Sequence, residues 1–428
     1  MSTPVTQIQI LNNSLQVITV IKSPYPLNTS GTTVSTKGIV NPNSGAIIEY
    51  SKELSDFGQC KFRVSAYDPL FKQFGDILAP HANHIRVVRG QTIVWTGAII
   101  ENTKRTKDYV EVIAAEYEWY LNKILVNRSS ADPAGAPSGQ TSAYDNIYRI
   151  FNTANGATTM SAAVTAIMNE TITNFKGASG VHPLANLTIG EIDNPNYPPN
   201  ITNGANPPVA LTGAWMFGDG ISAPAMTFDY HTILYILKSF SNVTYADFQI
   251  VNDNGTLVFN FLKFLGNDRH YDVNFTWGQH GNAVDFNIPR LGQQMANDLI
   301  GIATDENGVV LHAEQTDQTS IATNGLIQSV AAYADIKDQA TLNARIQAEL
   351  PLISEPTDSP ITFVLDENAY PLGFYDIGDI VTVNVNHDSL TYSAVKRVVG
   401  LTVSVNNTGR ELTTVQLNTP LPFQYGTS

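Results

Sequence analysis

Residues 85–113 read IRVVRGQTIVWTGAIIENTKRTKDYVEVI, and their pattern decides how the rest of the chain is read. Ile85, Val87 and Arg89 alternate with Arg86 and Val88 as far as Gly90-Gln91. Glycine first in a two-residue loop suits a type II′ hairpin, whose twist matches the flanking strands. A second strand runs through Ile93, Val94 and Trp95 to Ile100, and the polar run 102–108 is expected to turn. A third strand returns over 109–113, with Tyr109 and Glu111 alternating against Val110 and Val112. The reading is an antiparallel meander, with Trp95 packed into the core beneath it.

Working outward, strands are predicted over 7–11 and 15–21 around Asn12-Asn13-Ser14, over 46–54 and over 60–66, with 24–43 a loop. Cys60, Phe62, Val64 and Ala66 share one face of the 60–66 strand, and Lys61, Arg63 and Ser65 share the other. About seven strands by residue 113 predict a compact sandwich or barrel, closed by a short helix over 116–125. Beyond it the character shifts. Residues 131–140 read as a linker, 142–152 and 160–175 have helical spacing, and 181–224 is dense in Pro, Asn and Gly. In the 160–175 helix, Ala163, Ile167 and Thr171 share a face with Val164 and Met168.

Asp229 is expected to cap a helix through Phe240, with Ile233, Ile236, Leu237 and Phe240 on one stripe. A hairpin over 248–251 and 257–262 turns at Asn252-Asp253-Asn254-Gly255, and 273–276 adds a strand. A second hairpin, 299–303 with 309–313, turns at Asp305-Glu306-Asn307-Gly308. The helix expected over 338–350 buries Leu342, Ile346 and Leu350 and is expected to end at Pro351. The last strands fall over 361–365, 380–385, 392–401 and 412–417, with 404–410 a turn. One β-rich unit therefore stands at each end of the chain.

With 428 residues, of which 43% are apolar, the chain can build more than one packed interior. Charged residues make up only 14%, against a usual quarter, and Asn, Thr, Ser and Gly fill the gap. The net charge of −14 argues against nonspecific nucleic-acid binding, which requires clustered Lys and Arg. No apolar run is long enough for a membrane span, and the N-terminal residues do not form a secretory signal. Synthesis in the cytoplasm is expected. The single Cys60 excludes an intrachain disulfide.

Candidate chemistry is sparse. His81 and His84 have a His-x-x-His spacing, but Pro80 precedes them and no carboxylate or thiol is near in sequence. His231, His270, His280, His312 and His387 are scattered. Cys60 alternates with apolar residues on a strand and reads as a small buried hydrophobe. Asp253, Asp305 and Asp317 complete no calcium loop. Lys104, Arg105 and Lys107 form a basic hairpin tip, which reads as a solvated turn or as a contact for an acidic neighbour. Trp215 and Phe217, beside Asp219-Gly220, could face a saccharide or partner, though plain packing explains them as well. Gly378-Asp379 reads as a structural corner. There is no nucleophile elbow, zincin motif or phosphate loop. The expectation is a protein that is not an enzyme, with no catalytic residue, no metal site and no cofactor.

One resemblance runs along the chain. Asn297-Asp298-Leu299-Ile300 is followed by the Asp-Glu-Asn-Gly hairpin, Ser320-Ile321, Gly325-Leu326-Ile327 and the helix segment Leu342 to Arg345. Then Tyr375-Asp376-Ile377-Gly378-Asp379-Ile380-Val381-Thr382-Val383 leads into a final hairpin. Earlier, Phe57-Gly58-Gln59-Cys60-Lys61-Phe62 precedes Asp68-Pro69 and Val94-Trp95-Thr96-Gly97. This order resembles the baseplate-hub and minor tail proteins of tailed phages, in particular the Gp37-like siphovirus tail hubs, over residues 1–125 and 285–420.

The resemblance implies an α+β, mainly β fold: two tail-tube-like β-barrel or sandwich domains with small inserted α/β domains. The expected division is 1–126 and 287–428 for the tube-like domains, 127–228 for a Pro/Gly/Asn-rich insertion with helices, and 229–286 for a small α/β domain. The implied role is a structural virion protein. It would be a tail-tip or baseplate hub that continues the tail tube as a ring and serves host attachment and DNA ejection. Implied partners are further copies in a homotrimer, the tail tube or distal tail protein, tip or fibre proteins and the tape-measure protein. DNA would pass the lumen without specific binding. A tail-associated cell-wall or glycan hydrolase and a host-glycan receptor module are the competing readings.

Overall fold

The computed structural model describes residues 6–22, 48–126, 148–151, 160–175, 184, 186–192, 226–244, 246–253, 255–262, 264–278, 281–289, 292–293, 295–305, 307–334, 336–355, 360–366, 373–387, 390–405 and 410–420. Strands β1 (Thr6–Leu11) and β2 (Val17–Lys22) form a hairpin. At its turn, Asn12 Oδ1 accepts from the backbone N–H groups of Ser14 and Gln16. Next come β3 (Ile48–Glu53) and β4 (Gln59–Ser65), on which Cys60, Phe62 and Val64 all face the core. Helix α1 (Pro69–Phe74) occupies a place the sequence showed only as an Asp-Pro loop. Asp68 caps it by accepting from Leu70 N–H, and proline suits the first helical position because its absent N–H is not needed there.

The meander is present as β5 (His84–Arg89), β6 (Thr92–Arg105) and β7 (Tyr109–Ala115). Gly90 has φ 64°, as a primed hairpin turn requires. β6 runs through Arg105, beyond the expected start of the second turn at 102. The turn is instead held by Thr106, whose N–H and hydroxyl both donate to Tyr109 O. The register slips after Val87, so Val94 and Trp95 are both buried although they are neighbours on one strand. Helix α2 (Glu118–Leu121) is the expected closing helix, shorter than 116–125.

Strand β8 (Tyr148–Phe151) falls where helical spacing was expected over 142–152; residues 142–147 and 152 lie outside the described residues. The described part is Tyr-Arg-Ile-Phe, two aromatics and a β-branched residue that suit a strand. Helix α3 (Met160–Phe175) matches its expected bounds, and β9 (Leu187–Ile192) is a strand inside the Pro-, Asn- and Gly-dense stretch. β10 (Met226–Asp229) pairs with β8, so Asp229 ends a strand rather than capping a helix. Helix α4 (Ile233–Thr244) is capped instead by Thr232, whose hydroxyl accepts from Tyr235 N–H at 3.2 Å.

The β11 (Asp247–Asp253) and β12 (Thr256–Leu262) hairpin forms as expected, and β12 also pairs in parallel with β9. One core gathers Val164, Ile167, Ile236, Phe240, Phe248 and Phe259 with Tyr117 and Leu121 of the closing helix region. Helix α3 and β9 therefore share an interior with α4 and the β11–β12 hairpin. The linker 131–140, the loop 24–43 and most of 181–224 lie outside the described residues.

After β13 (Asn274–Trp277) comes β14 (Ala283–Asn287), which the sequence did not announce. β15 (Asp298–Thr304) and β16 (Val310–Thr316) are the second expected hairpin. Helix α5 (Gln318–Asn324) and β17 (Gln328–Tyr333), which lies parallel to β15, were not foreseen. Asp317 caps α5, and Asp338 caps α6 (Gln339–Ile353). Leu342, Ile346 and Leu350 are buried against β15 as expected. Pro351 lies inside α6 rather than ending it. The proline has no N–H for the carbonyl four residues earlier, but only two helical residues follow it, and Ser354 N–H donates to Leu350 O at 2.9 Å to close the turn.

The last strands are β18 (Ile361–Asp366), β19 (Ile380–His387), β20 (Leu390–Val405) and β21 (Glu411–Asn418). Thirteen strands belong to one sheet, in the order β14-β18-β21-β20-β3-β4-β7-β6-β5-β1-β2, with β19 and β13 branching from β20. The fold is α+β and mainly β.

The branch sets the architecture. Along one edge, β20 pairs first with β19, over Leu390 to Arg397, and then with β3, over Gly400 to Val405. Along its other edge it pairs with β21. One core lies on the N-terminal side of this fork; it includes Phe62, Trp95 and Val112 and also Val403 and Val405 of β20. A second core, with Phe275, Phe363, Val383 and Val415, lies on the other side. The sheet also curls far enough for Arg89 of β5 and Thr6 of β1 to reach the buried Glu411 on β21.

Candidate functional site

Two places concentrate polar chemistry, and both lie at the fork. At the first, the Gly378-Asp379 corner sits where β19 meets β20. Gly378 N–H donates to Val398 O at 2.7 Å, and Val398 N–H donates to Asp379 O at 2.8 Å. The Asp379 carboxylate accepts from Asn267 N–H at 2.6 Å and Asp376 N–H at 3.0 Å, and pairs with Arg269 at 3.2 Å. This is the structural corner read from the sequence. Glycine is required here: Gly378 has φ +87°, and a Cβ on it would lie 2.1 Å from Leu265 O.

Arg397, which the sequence reading passed over, fills the same junction. It lies at the point where β20 changes partner from β19 to β3. Its guanidinium donates to Gly378 O at 3.1 Å and to Leu265 O at 2.9 Å. It grips Asp247 of β11 through both terminal nitrogens and lies over the Phe264 ring, 4.5 Å from its centroid. Side-chain exposures are 7% for Arg397 and 6% for Asp247, so the pair is desolvated. Burial raises the Asp247 carboxyl above its usual value, against the pull of Arg397. Nearby, Lys52 of β3 binds both oxygens of Asp376, at 2.9 and 2.8 Å.

The second place is a cleft of about 490 Å³ between the β3–β4 loop and α4. Glu53, Asp56, Phe57 and Gln59 line it from the loop, and Asn122, Leu234, Tyr235 and Lys238 from the helical side. The loop is fixed by close contacts. A Cβ on Gly58 would lie 1.8 Å from Ser51 O, and Gly58 N–H donates to Glu116 at 2.7 Å. Lys238 pairs with Asp56. Glu53 is raised by burial and by neighbouring Asp56, with Lys238 opposing.

Beneath the loop lie two carboxyls, Glu116 and Glu118. Glu118, 5% exposed, accepts from Ile250 N–H, and burial pushes it up to about 7. Burial, then Glu118, raises Glu116 as well. The sign follows directly. The folded chain keeps the Glu118 proton up to pH about 7, whereas the unfolded chain releases it near 4.5, so this contribution to stability is complete below 4.5 and is lost as pH rises through 7. His84 works oppositely: burial lowers it from 6.5 to about 4, so its contribution is lost as pH falls through that window. Glu118→Gln should therefore flatten the alkaline side of the stability profile, by up to about 3 kcal/mol at pH 8, and leave the acid side unchanged. Urea midpoints measured from pH about 5 to 8 check this; equal slopes for both proteins would assign the effect elsewhere.

The remaining sequence candidates are dispersed. His84 is buried against Tyr117, whereas His81 is exposed and shares a hydrogen bond with Tyr120 Oη at 3.0 Å. His270 bonds Asp268, His387 packs on Trp277 and His231 stacks on Tyr235. His312 lies on β16, where its carbonyl accepts from Gln339. Among the described residues no group of three or more His, Cys, Asp or Glu could hold a metal ion. Cys60 is fully buried, and burial pushes its thiol up. Asp305 organises its turn by accepting from Asn307 and Val309 N–H, and Asp253 ends β11. Asp317 is lowered first by the N–H of Ser320, as befits a cap. Lys104, Arg105 and Lys107 are exposed, and Arg105 pairs with Asp76 at 2.6 Å. His280, Trp215, Phe217, Asp219 and Gly220 lie outside the described residues. No helix among the described residues is long and apolar enough to cross a membrane.

No known protein family and no curated protein matches the chain by sequence. Solved structures do match it over nearly its whole length. A tail protein from Neisseria meningitidis MC58 is 11% identical, covers 96% of each chain and superposes with a TM-score of 0.53. The 43 kDa tail protein of prophage MuSo2 from Shewanella oneidensis is 10% identical, with 97% of this chain and 98% of that one covered and a TM-score of 0.54. The chain shares the fold of these tail proteins from end to end.

Proposed function

We propose that this chain is a structural component of a phage-type tail, and more narrowly a tail-tip or baseplate hub. The observation that carries the proposal is the near-complete mutual coverage with two tail proteins. The forked sheet supports it: one β core lies on each side of β20, as two tube-like units sharing that strand would require. In this reading residues 1–126 form the first tube-like unit, and β13, β14 and β18 to β21 form the second. The layer holding α3, α4 and the β11–β12 hairpin is an insertion, and so is the α6 layer on β15–β17.

Three chains would then place six similar units around one axis, matching a six-fold tube on one side and a three-fold tip on the other. The partners would be the tail tube or distal tail protein, tip or fibre proteins and the tape-measure protein, within the virion. The net charge of −14 suits a lumen that DNA passes without being gripped. The chain would act by assembly and not as an enzyme. Light scattering after size exclusion should give a mass near three times 46.6 kDa, at high concentration or beside the tube protein. A monomer even with the tube protein present, or a dimer in every condition, would overturn the arrangement.

A further inference from the structure

We propose that the cleft between the β3–β4 loop and α4 is a saccharide-binding site, a role beyond the tail assembly proposed above. Sugars are recognised by two features together: an aromatic face for the C–H surface, and clustered groups that both donate and accept for the hydroxyls. The cleft has both. Tyr235 is 46% exposed and lines it, and His231 stacks on Tyr235 at 4.2 Å with 26° between the rings, which holds the ring in place. Around it stand Glu53 and Asp56 as acceptors, Lys238 as a donor, and Gln59 and Asn122 as both. The Asp56 side chain is 28% exposed, and its Oδ1, itself buried, has no hydrogen-bond partner among the described residues, so a turn of the carboxylate would offer that oxygen to a ligand donor. Thr232 donates to Asn122 Oδ1 at 3.2 Å and orients that amide.

The floor is built rather than accidental. Ser55 has φ 54°, its hydroxyl accepts from Phe248 N–H at 3.2 Å, and Gly58 has no room for a side chain. The volume, about 490 Å³, fits one to two sugar rings. Glu53 and Asp56 against the single Lys238 leave an acidic excess, so a cationic side chain is the competing occupant that the test has to exclude. A neutral polyhydroxyl ligand uses the Lys238–Asp56 pair without leaving either charge unpaired.

The test is saturation-transfer NMR on the full chain with N-acetylglucosamine trimer, maltotriose, galactose and rhamnose. At least one should show transfer, with a dissociation constant of about 1 mM or tighter. Tyr235→Ala should weaken binding roughly tenfold or more, and Asp56→Asn should weaken it too, in proteins whose unfolding midpoints stay close to the parent's. Absence of transfer from all four sugars at about 10 mM, or equal binding by Tyr235→Ala, would overturn the proposal. So would a lysine-rich peptide that binds the cleft in place of any sugar. None of these outcomes bears on the light-scattering mass, so the two proposals fail separately.

Discussion

Arg397→Ala should destabilise the protein by about 3–5 kcal/mol, the range for breaking a buried ion pair from one side. The loss comes mainly from what is left behind. Asp247 is almost wholly buried and would be left either as an uncompensated carboxylate or as an acid forced to take up a proton, while Gly378 O and Leu265 O would lose their shared donor. The effect should also spread. Arg397 joins β20, the Gly378-Asp379 corner, the loop before β13 and the first residue of β11, so proteolysis should reach sites on either side of the fork in the variant. Arg397→Met combined with Asp247→Leu removes both charges and should recover much of the loss. Denaturation midpoints for the single and double variants decide it. A single variant within about 1 kcal/mol of the parent would show that the pair carries little stability.

Trp95→Ala should cost a similar amount, about 3–5 kcal/mol, for a different reason. Trp95 is 1% exposed at the centre of the N-terminal core, and its indole N–H donates to Ser51 O at 2.9 Å. A cavity of that size cannot close, because the surrounding β strands are paired on both sides. Gly97 belongs to the same arrangement: a Cβ there would lie 2.4 Å from the Trp95 ring and 2.2 Å from Ala115 O, so the Trp-x-Gly spacing is a packing requirement. Trp95→Phe keeps most of the volume and should lose only about 1 kcal/mol with the hydrogen bond. Chemical denaturation of both variants is the measurement. An unchanged midpoint for Trp95→Ala would contradict the packing described here.

The strands whose faces differ were legible. Cys60, Phe62 and Val64 alternate because one face of β4 is buried, and the sequence carries that period directly. β17 and β14 were not legible for the converse reason: each is exposed or half-buried along its length, so no alternation marks it. The helix caps were partly legible. Asp229 was expected to cap the helix that Thr232 caps; both are good capping residues, and the strand pairing of β10 takes Asp229 out of that role. The two polar sites were the least legible. Arg397 meets Asp247 across 150 residues of sequence, and the cleft draws on residues 53–59, 122 and 234–238. Local spacing carries no trace of such meetings, and only the closing of the sheet brings them together.

The strand that serves both units also constrains how the chain can be made. β3 begins at Ile48, and its partner there is Val405; Thr6 hydrogen-bonds Glu411. Val403 and Val405 are part of the N-terminal core. As the chain leaves the ribosome, its first seven strands therefore emerge long before the strand that completes their interior. One edge of β3 stays open, and part of the core stays wet, until β20 has been synthesised about 350 residues later. Contacts this distant in sequence close slowly, and an open edge is a template for pairing with another chain. The nascent N-terminal strands thus pass through a long interval in which they are sticky and incomplete, and β20 ends that interval for both cores at once.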